Sequence, residues 1–318
     1  MKSQALNSSK TLSSRPSIGT SIAARLAVLL FVAVALRHVA DWLRFLSGWP
    51  IPSLGNVGYT LIFSGFAVLH GCASLGKRRT LVFFTLSAIV SWILEEIGVS
   101  TGWVYGHYHY SDMLGPKLGL VPVIIPLAWF MMIYSSWAVA SALLGSATQD
   151  ASECVLSRSI VASVVMTSWD TVMDPGMSRA GNWVWETGGA YFGVPVHNYA
   201  GWLATTFVVY LLFGITSRYI RPASVSTGDT RCFDALPVMC YAMVAVDHLV
   251  VQIVPELRVV DVFTMGFATL LACIGLARKR AMKPELSESA SIRTAPEVSI
   301  AQSVMSPAAS RAAHFRQT

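Results

Sequence analysis

The sequence predicts an all-α, polytopic transmembrane bundle of about eight spans, on three observations. Hydrophobic residues fill 54% of the 318 positions and charged residues 13%, with a mean hydropathy of +0.55, too apolar for a soluble fold of this size to keep its surface wet. A spanning helix needs roughly 20 apolar residues, and stretches near that length recur at 22–46, 57–75, 80–100, 118–143, 155–174, 198–216, 236–254 and 259–277. The basic residues alternate with those stretches. With an even number of spans one side receives the N-terminus, Lys77-Arg78-Arg79, Arg158, Arg218, Arg221, Arg231 and Arg278-Lys279-Arg280, and the other only Lys117, Arg179 and Arg258. By the positive-inside rule both termini are cytoplasmic, and the plasma membrane is the expected location.

Residues 22–277 therefore form one membrane domain. The flanking segments, 1–21 rich in Ser and Thr and 278–318 rich in Ser, Ala and Glu, are predicted disordered cytoplasmic tails. Ala33-Val34-Ala35 imitates a signal-peptide cleavage site, but its leader is long and Arg37 and His38 follow at once, so cleavage is not expected. The net charge of +6 sits in loops and tails, where it sets topology, and no nucleic-acid partner is expected. Cys72, Cys154, Cys232, Cys240 and Cys273 show no metal-type pairing and no disulfide framework.

An approximate repeat relates spans 3–4 to spans 5–6. Gly102-Trp103-Val104-Tyr105 leads to Gly119-Leu120-Val121-Pro122-Val123 and Trp129; Gly181-Asn182-Trp183-Val184-Trp185 leads to Gly193-Val194-Pro195-Val196 and Trp202. An acidic helix end precedes each loop, Glu95 and Glu96 in the first copy and Asp170 and Asp174 in the second. These long loops, rich in Gly, Trp, Tyr and His, face the basic-poor side, which makes that side the functional one.

Carboxylates inside a membrane cost roughly 3 kcal/mol or more each near a helix centre, so they usually face the bundle interior and act there. Glu95 and Glu96 follow Trp92 by three and four residues and diverge by about 100°, so one of the two is expected to point inward. Asp170 and Asp174, spaced i,i+4 beside Trp169 and before Pro175, share a face; two like charges there oppose joint ionisation, which suits a proton donor. A helix-terminal cap before Pro175, or a DxxxD magnesium site of the prenyltransferase kind, are the competing readings, the latter lacking a convincing second acidic motif. Arg37, Asp41 and Arg44 form a stripe on the first span with His38 beside it, read as an ion-pair network, and Asp247-His248 reads as an interhelical contact.

His107 and His109, with Tyr105, Tyr108, Tyr110 and Asp112, form the polar core of the first loop; His197, Asn198 and Glu186 occupy the second. Seven histidines with a lone HxH are too few for the clusters of membrane di-iron enzymes, so no metal and no cofactor are expected. Of ten tryptophans, Trp42, Trp49, Trp92, Trp103, Trp169, Trp183, Trp185 and Trp202 fall in the outer half with the acids. An interfacial belt accounts for many of them, but acids among indole faces are also what carbocation chemistry on an isoprenoid needs.

Glu95-Glu96-Ile97-Gly98, Gly102-Trp103-Val104-Tyr105-Gly106-His107-Tyr108, Trp169-Asp170-Thr171 to Asp174-Pro175, Gly181-Asn182-Trp183-Val184-Trp185 and Tyr191-Phe192-Gly193-Val194-Pro195 to Asn198-Tyr199-Ala200-Gly201-Trp202 together resemble the membrane carotenoid biosynthesis protein family, over about residues 30–277. The resemblance implies a cofactor-independent hydratase of the bisanhydrobacterioruberin or γ-carotene 1'-hydratase type, which adds water to the terminal double bond of an acyclic carotenoid end. It supplies no catalytic assignment, so roles follow from chemistry. Asp170 or Asp174, or else Glu95 or Glu96, delivers a proton to the less substituted carbon; His107, His109 or His197 positions the water that captures the tertiary cation. Trp92, Trp103, Trp169, Trp183 and Trp185, with Tyr191 and Asn198, surround a lipid-soluble polyene that enters from the bilayer. A membrane prenyltransferase or other terpenoid-modifying enzyme is the alternative within enzymes, a small-molecule transporter the alternative outside them. Oligomeric state is not legible.

Overall fold

A computed structural model describes residues 21–145, 152–221 and 231–278. Apart from Ser21 and Arg278, the two predicted tails lie outside the described residues. The helices are α1 (Ile22–Ser47), α2 (Gly55–Ser74), α3 (Lys77–Thr101), α4 (Ile124–Leu144), α5 (Ser152–Arg179), α6 (Val196–Ser217), α7 (Arg231–Val251) and α8 (Pro255–Asp261), the last continuing through a π-helical turn, Val262–Gly266, to Arg278. Four short strands, β1 (Tyr108–Tyr110), β2 (Lys117–Leu118), β3 (Val121–Pro122) and β4 (Trp183–Trp185), belong to the two long loops. Among the described residues, seven helices are long and apolar enough to cross a membrane, which makes this a multi-pass membrane protein.

The fifth predicted span, 155–174, forms α5 but is not among those seven. Ser159, Ser163, Asp170 and Asp174 on this helix are all buried. α5 packs against α4, α6 and α8, so its polar face is sheltered by protein rather than by its own apolar content. The predicted fourth span began too early. Residues 118–123 instead belong to the β2–β3 hairpin, whose turn is fixed by Gly119 at φ +68°, where a Cβ would collide with the Glu96 carboxylate. α4, the most buried of the seven, contacts α2, α3, α5 and α7 and forms the centre of the bundle.

Two helices run through prolines, and in both the carbonyl that proline leaves unpaired finds a side-chain donor from elsewhere. α5 continues past Pro175 rather than capping before it. Pro175 has no N–H for the Thr171 carbonyl, which accepts instead from the Tyr191 hydroxyl at 3.0 Å. Tyr191 is presented by a two-residue hairpin in which Phe192 (φ 50°) and Gly193 (φ 90°) both take left-handed backbone. In α7, Pro237 likewise releases the Phe233 carbonyl, which accepts from His70 Nε2 at 2.8 Å. His70 Nδ1 in turn accepts from the Tyr134 hydroxyl at 2.7 Å, so this buried histidine is a structural joint between α2, α4 and α7.

This arrangement makes a prediction about stability. His70→Leu leaves the Phe233 carbonyl unpaired and lowers stability by about 1–3 kcal/mol. Pro237→Ala returns an N–H to that carbonyl, so the same substitution is expected to cost less in the Pro237→Ala background. Thermal unfolding of the four variants of this cycle in detergent measures the coupling; equal losses in both backgrounds would contradict the assignment.

Candidate active site

The C-terminal ends of α3, α5 and α7, the last third of α1 and the N-terminal ends of α2, α4 and α6 enclose a cavity of about 540 Å³ at one end of the bundle. That is within the usual range for a small-molecule site. Its walls are largely apolar, from Ile124, Ile125, Val172, Met173 and Val244 among others, and one carboxylate from each half of the repeat, Glu95 and Asp174, opens onto it.

Both carboxylates are held from above by one two-stranded ribbon. β1 and β4 pair antiparallel with Tyr108 opposite Trp185, His109 opposite Val184 and Tyr110 opposite Trp183. Side chains alternate across a strand, so the four aromatic residues share the inner face and His109 and Val184 the outer. Tyr108 and Tyr110 both donate to Glu95 Oε2, the latter at 2.8 Å, and Trp129 Nε1 donates to Oε1 at 3.0 Å. Trp183 and Trp185 donate to Asp174 Oδ1 at 2.7 and 3.1 Å. Burial, and then the Glu95 charge, push the Tyr108 and Tyr110 hydroxyls well above the ordinary phenol value, so both remain donors. Gly98 makes room for the neighbouring Tyr105 ring, which a Cβ there would meet at 2.7 Å.

Asn198, on the first turn of α6, joins the two aspartates. Its Nδ2 donates to Asp170 Oδ2 at 2.9 Å and to Asp174 Oδ2 at 2.8 Å. Asp170 is fully buried behind Asp174, and its Oδ1 has no hydrogen-bond partner. Trp129 and Trp202, matched positions of the repeat, stack on each other with centroids 4.0 Å apart, and Trp169 meets Trp202 edge-on at 5.8 Å. All three indoles line the cavity.

The predicted residues thus divide. Glu95, Asp174, Trp169, Trp183, Trp185 and Asn198 line the cavity, and Asp170 adjoins it through Asn198. Glu96 does not: its Oε1 accepts from the Leu120 and Val121 amides at 2.7 and 3.2 Å and fastens the β2–β3 turn. Trp92 donates to the Leu118 carbonyl at 3.2 Å, Tyr191 serves α5, and Trp103 is 81% exposed. His107, His109 and His197 are exposed outside the cavity, because His107 and His109 take the outer face of the alternation that turns Tyr108 and Tyr110 inward. In their place the cavity wall carries a set that the sequence reading took as structural contacts, together with Tyr59, which it did not single out. Arg37 and His38 of α1, Tyr59 of α2, and Asp247 and His248 of α7 line it at the same end of the bundle as the acids. Asp247, read from the sequence as an interhelical contact, therefore lies with the other acids.

Among the described residues, no group of three or more His, Cys, Asp or Glu converges as a metal site would require. The oxygens of Asp174 face three N–H donors, an environment that opposes a magnesium ion at the DxxxD pair.

Residues 55–268, well over half of the chain, match the family described as carotenoid biosynthesis protein. The chain belongs to that family. The match contains every residue of the Glu95 and Asp174 clusters and both inner strands of the ribbon. Among curated proteins, the carotenoid biosynthesis family member described here is similar to the bisanhydrobacterioruberin hydratase of Haloarcula japonica, 35% identical over 160 residues, 49% of this chain and 53% of the relative. The matched region spans about half the length of that relative. No solved structure matches the chain.

Proposed function

We propose that this protein is a cofactor-independent hydratase that adds water across the terminal double bond of an acyclic carotenoid, or a related isoprenoid, to give a tertiary alcohol. The observation that carries the proposal is the pairing of proton-bearing and cation-stabilising chemistry around one apolar cavity. The Asp170–Asp174 pair, tied to a single Asn198 amide, stands on one side, and Glu95 with a wall of indoles stands on the other. Membership of the carotenoid biosynthesis family and the hydratase relative support the substrate class.

In the first step the π electrons of the terminal alkene take a proton from the aspartate pair at the less substituted carbon, leaving a tertiary cation. Two carboxyls that share one amide cannot both be charged without cost, so the pair retains a proton to give. Asp174 is the member on the cavity wall and faces the alkene. The cation then lies among Trp129, Trp169 and Trp202, whose π faces and the Glu95 carboxylate stabilise positive charge, until water captures it. The apolar cavity admits one end of a polyene that arrives through the bilayer. Placement in the plasma membrane with both termini cytoplasmic, which the distribution of basic residues supports, sets this end of the bundle on the outer side.

The test is expression in cells that accumulate an acyclic carotenoid such as lycopene, with ¹⁸O-water as label. Mass spectrometry is expected to find a tertiary alcohol carrying ¹⁸O, formed equally by membranes treated with chelator. Oxygen drawn from O₂, or a product that gains a prenyl group and disappears with chelator, would overturn the proposal in favour of a hydroxylase or a prenyltransferase.

A further inference from the structure

Along the same cavity wall, three polar side chains from three helices are arranged in series. His38 is 1% exposed; its Nδ1 lies 3.1 Å from Asp247 Oδ1, an ion-pair distance without hydrogen-bond alignment, and its Nε2 faces the Tyr59 hydroxyl at 3.1 Å. Asp247 is fixed from both sides: Trp42 Nε1 donates to its Oδ1 at 3.0 Å, and Arg37 lies 3.7 Å from its Oδ2. Arg37 also sits 4.2 Å above the Tyr59 ring and pairs with Asp41 at 2.7 Å. Facing charge from Asp247 selects the imidazole tautomer with hydrogen on Nδ1, leaving Nε2 to accept from the phenol. A carboxylate that orients an imidazole, which in turn accepts from a hydroxyl on a cavity wall, is the general pattern of a base-activated hydroxyl.

We infer that Asp247, His38 and Tyr59 form a relay that holds the attacking water and takes its proton. Tyr59 is the catalytic residue in contact with the water, and His38 and Asp247 position it. The inference rests on the hydratase reading and supplies the base that the exposed loop histidines do not. A lone pair of the water oxygen forms the C–O bond to the tertiary carbon. One O–H bond of that water breaks, its proton passing to the Tyr59 oxygen while the phenol proton passes to His38 Nε2. The imidazolium so formed faces Asp247, and its proton returns through cavity water to the aspartate pair, so the net reaction consumes only alkene and water.

The relay acts after the cation has formed, and that separates it from the acid. A cation without an aligned water reverts to alkene by losing a proton, and in D₂O that reversal leaves deuterium in the recovered polyene. The experiment incubates the purified full chain in liposomes with lycopene in D₂O and reads both the alcohol and the deuterium content of unreacted lycopene. Tyr59→Phe, which keeps the ring beneath Arg37, and His38→Gln are each expected to lower alcohol formation about 10²-fold with KM little changed, while deuterium in recovered lycopene rises. Full alcohol formation in both variants would overturn the relay. So would loss of alcohol and exchange together, which would mean that the cluster only holds the bundle or serves protonation. A wild-type chain that forms no alcohol would instead overturn the hydratase reading itself, and the relay with it.

Discussion

Asp174→Asn is expected to reduce hydration by about 10²–10⁴-fold, the usual range for removal of a general acid, and Asp170→Asn to fall in the same range. Asn is nearly isosteric with Asp, and its Oδ1 can still accept from Trp183 and Trp185, so the ribbon stays seated at position 174. What changes is the other oxygen, which becomes an N–H₂ facing the Asn198 amide that now donates to both aspartates. That clash of donors costs about 1–3 kcal/mol of stability, a loss that thermal unfolding in detergent measures separately from activity. In the D₂O experiment the aspartate variants form neither alcohol nor deuterated polyene, because no cation arises, whereas the relay variants form the second without the first. Full hydration by both aspartate variants would remove the pair as the acid.

Helices were legible in this sequence because lipid demands long apolar stretches, and the positions of α1–α3 and α6–α8 follow from those stretches to within a few residues. α5 shows the limit of the rule. A helix surrounded by other helices can afford serines and two aspartates, so its hydropathy understates it. The ribbon of β1 and β4 was harder to see, since strands of three residues carry no statistical signal. The signal present was the alternation itself: Tyr108-His109-Tyr110 and Trp183-Val184-Trp185 each place aromatic residues two apart, with a different residue between them. Had the alternation been followed, it would have turned the aromatics towards the acids and His107 and His109 away from them. The choice between Glu95 and Glu96 also needed the fold, because the two differ only by rotation about the α3 axis, and nothing local says which side the ribbon covers. His38 and Asp247 are separated by most of the chain, and each looked like a satisfied contact in isolation; only the packing of α1 on α7 and α2 puts them in series with Tyr59.

Glu95→Gln is expected to lower kcat by about 10²–10³-fold, the scale of removing a group preorganised for charge that develops in the transition state, and to leave KM nearly unchanged. The substrate end is an uncharged hydrocarbon, so a carboxylate on the cavity wall contributes little to binding it; the charge is felt only once the alkene is protonated. Gln keeps the volume of Glu95 and one carbonyl oxygen for the Trp129 N–H, and the Tyr108 and Tyr110 hydroxyls can turn to accept from the new amide. The substitution therefore removes the charge while retaining the frame. Steady-state kinetics in liposomes decide the matter: a fall in kcat at constant KM assigns Glu95 to the cation, whereas a raised KM at constant kcat would make it a shaping residue. Glu95→Leu differs in kind, because it strands three buried donors at about 1–3 kcal/mol each and is expected to loosen the β1–β4 ribbon from α3. Comparison of the two variants separates the carboxylate as a charge from the carboxylate as the acceptor that seats the ribbon.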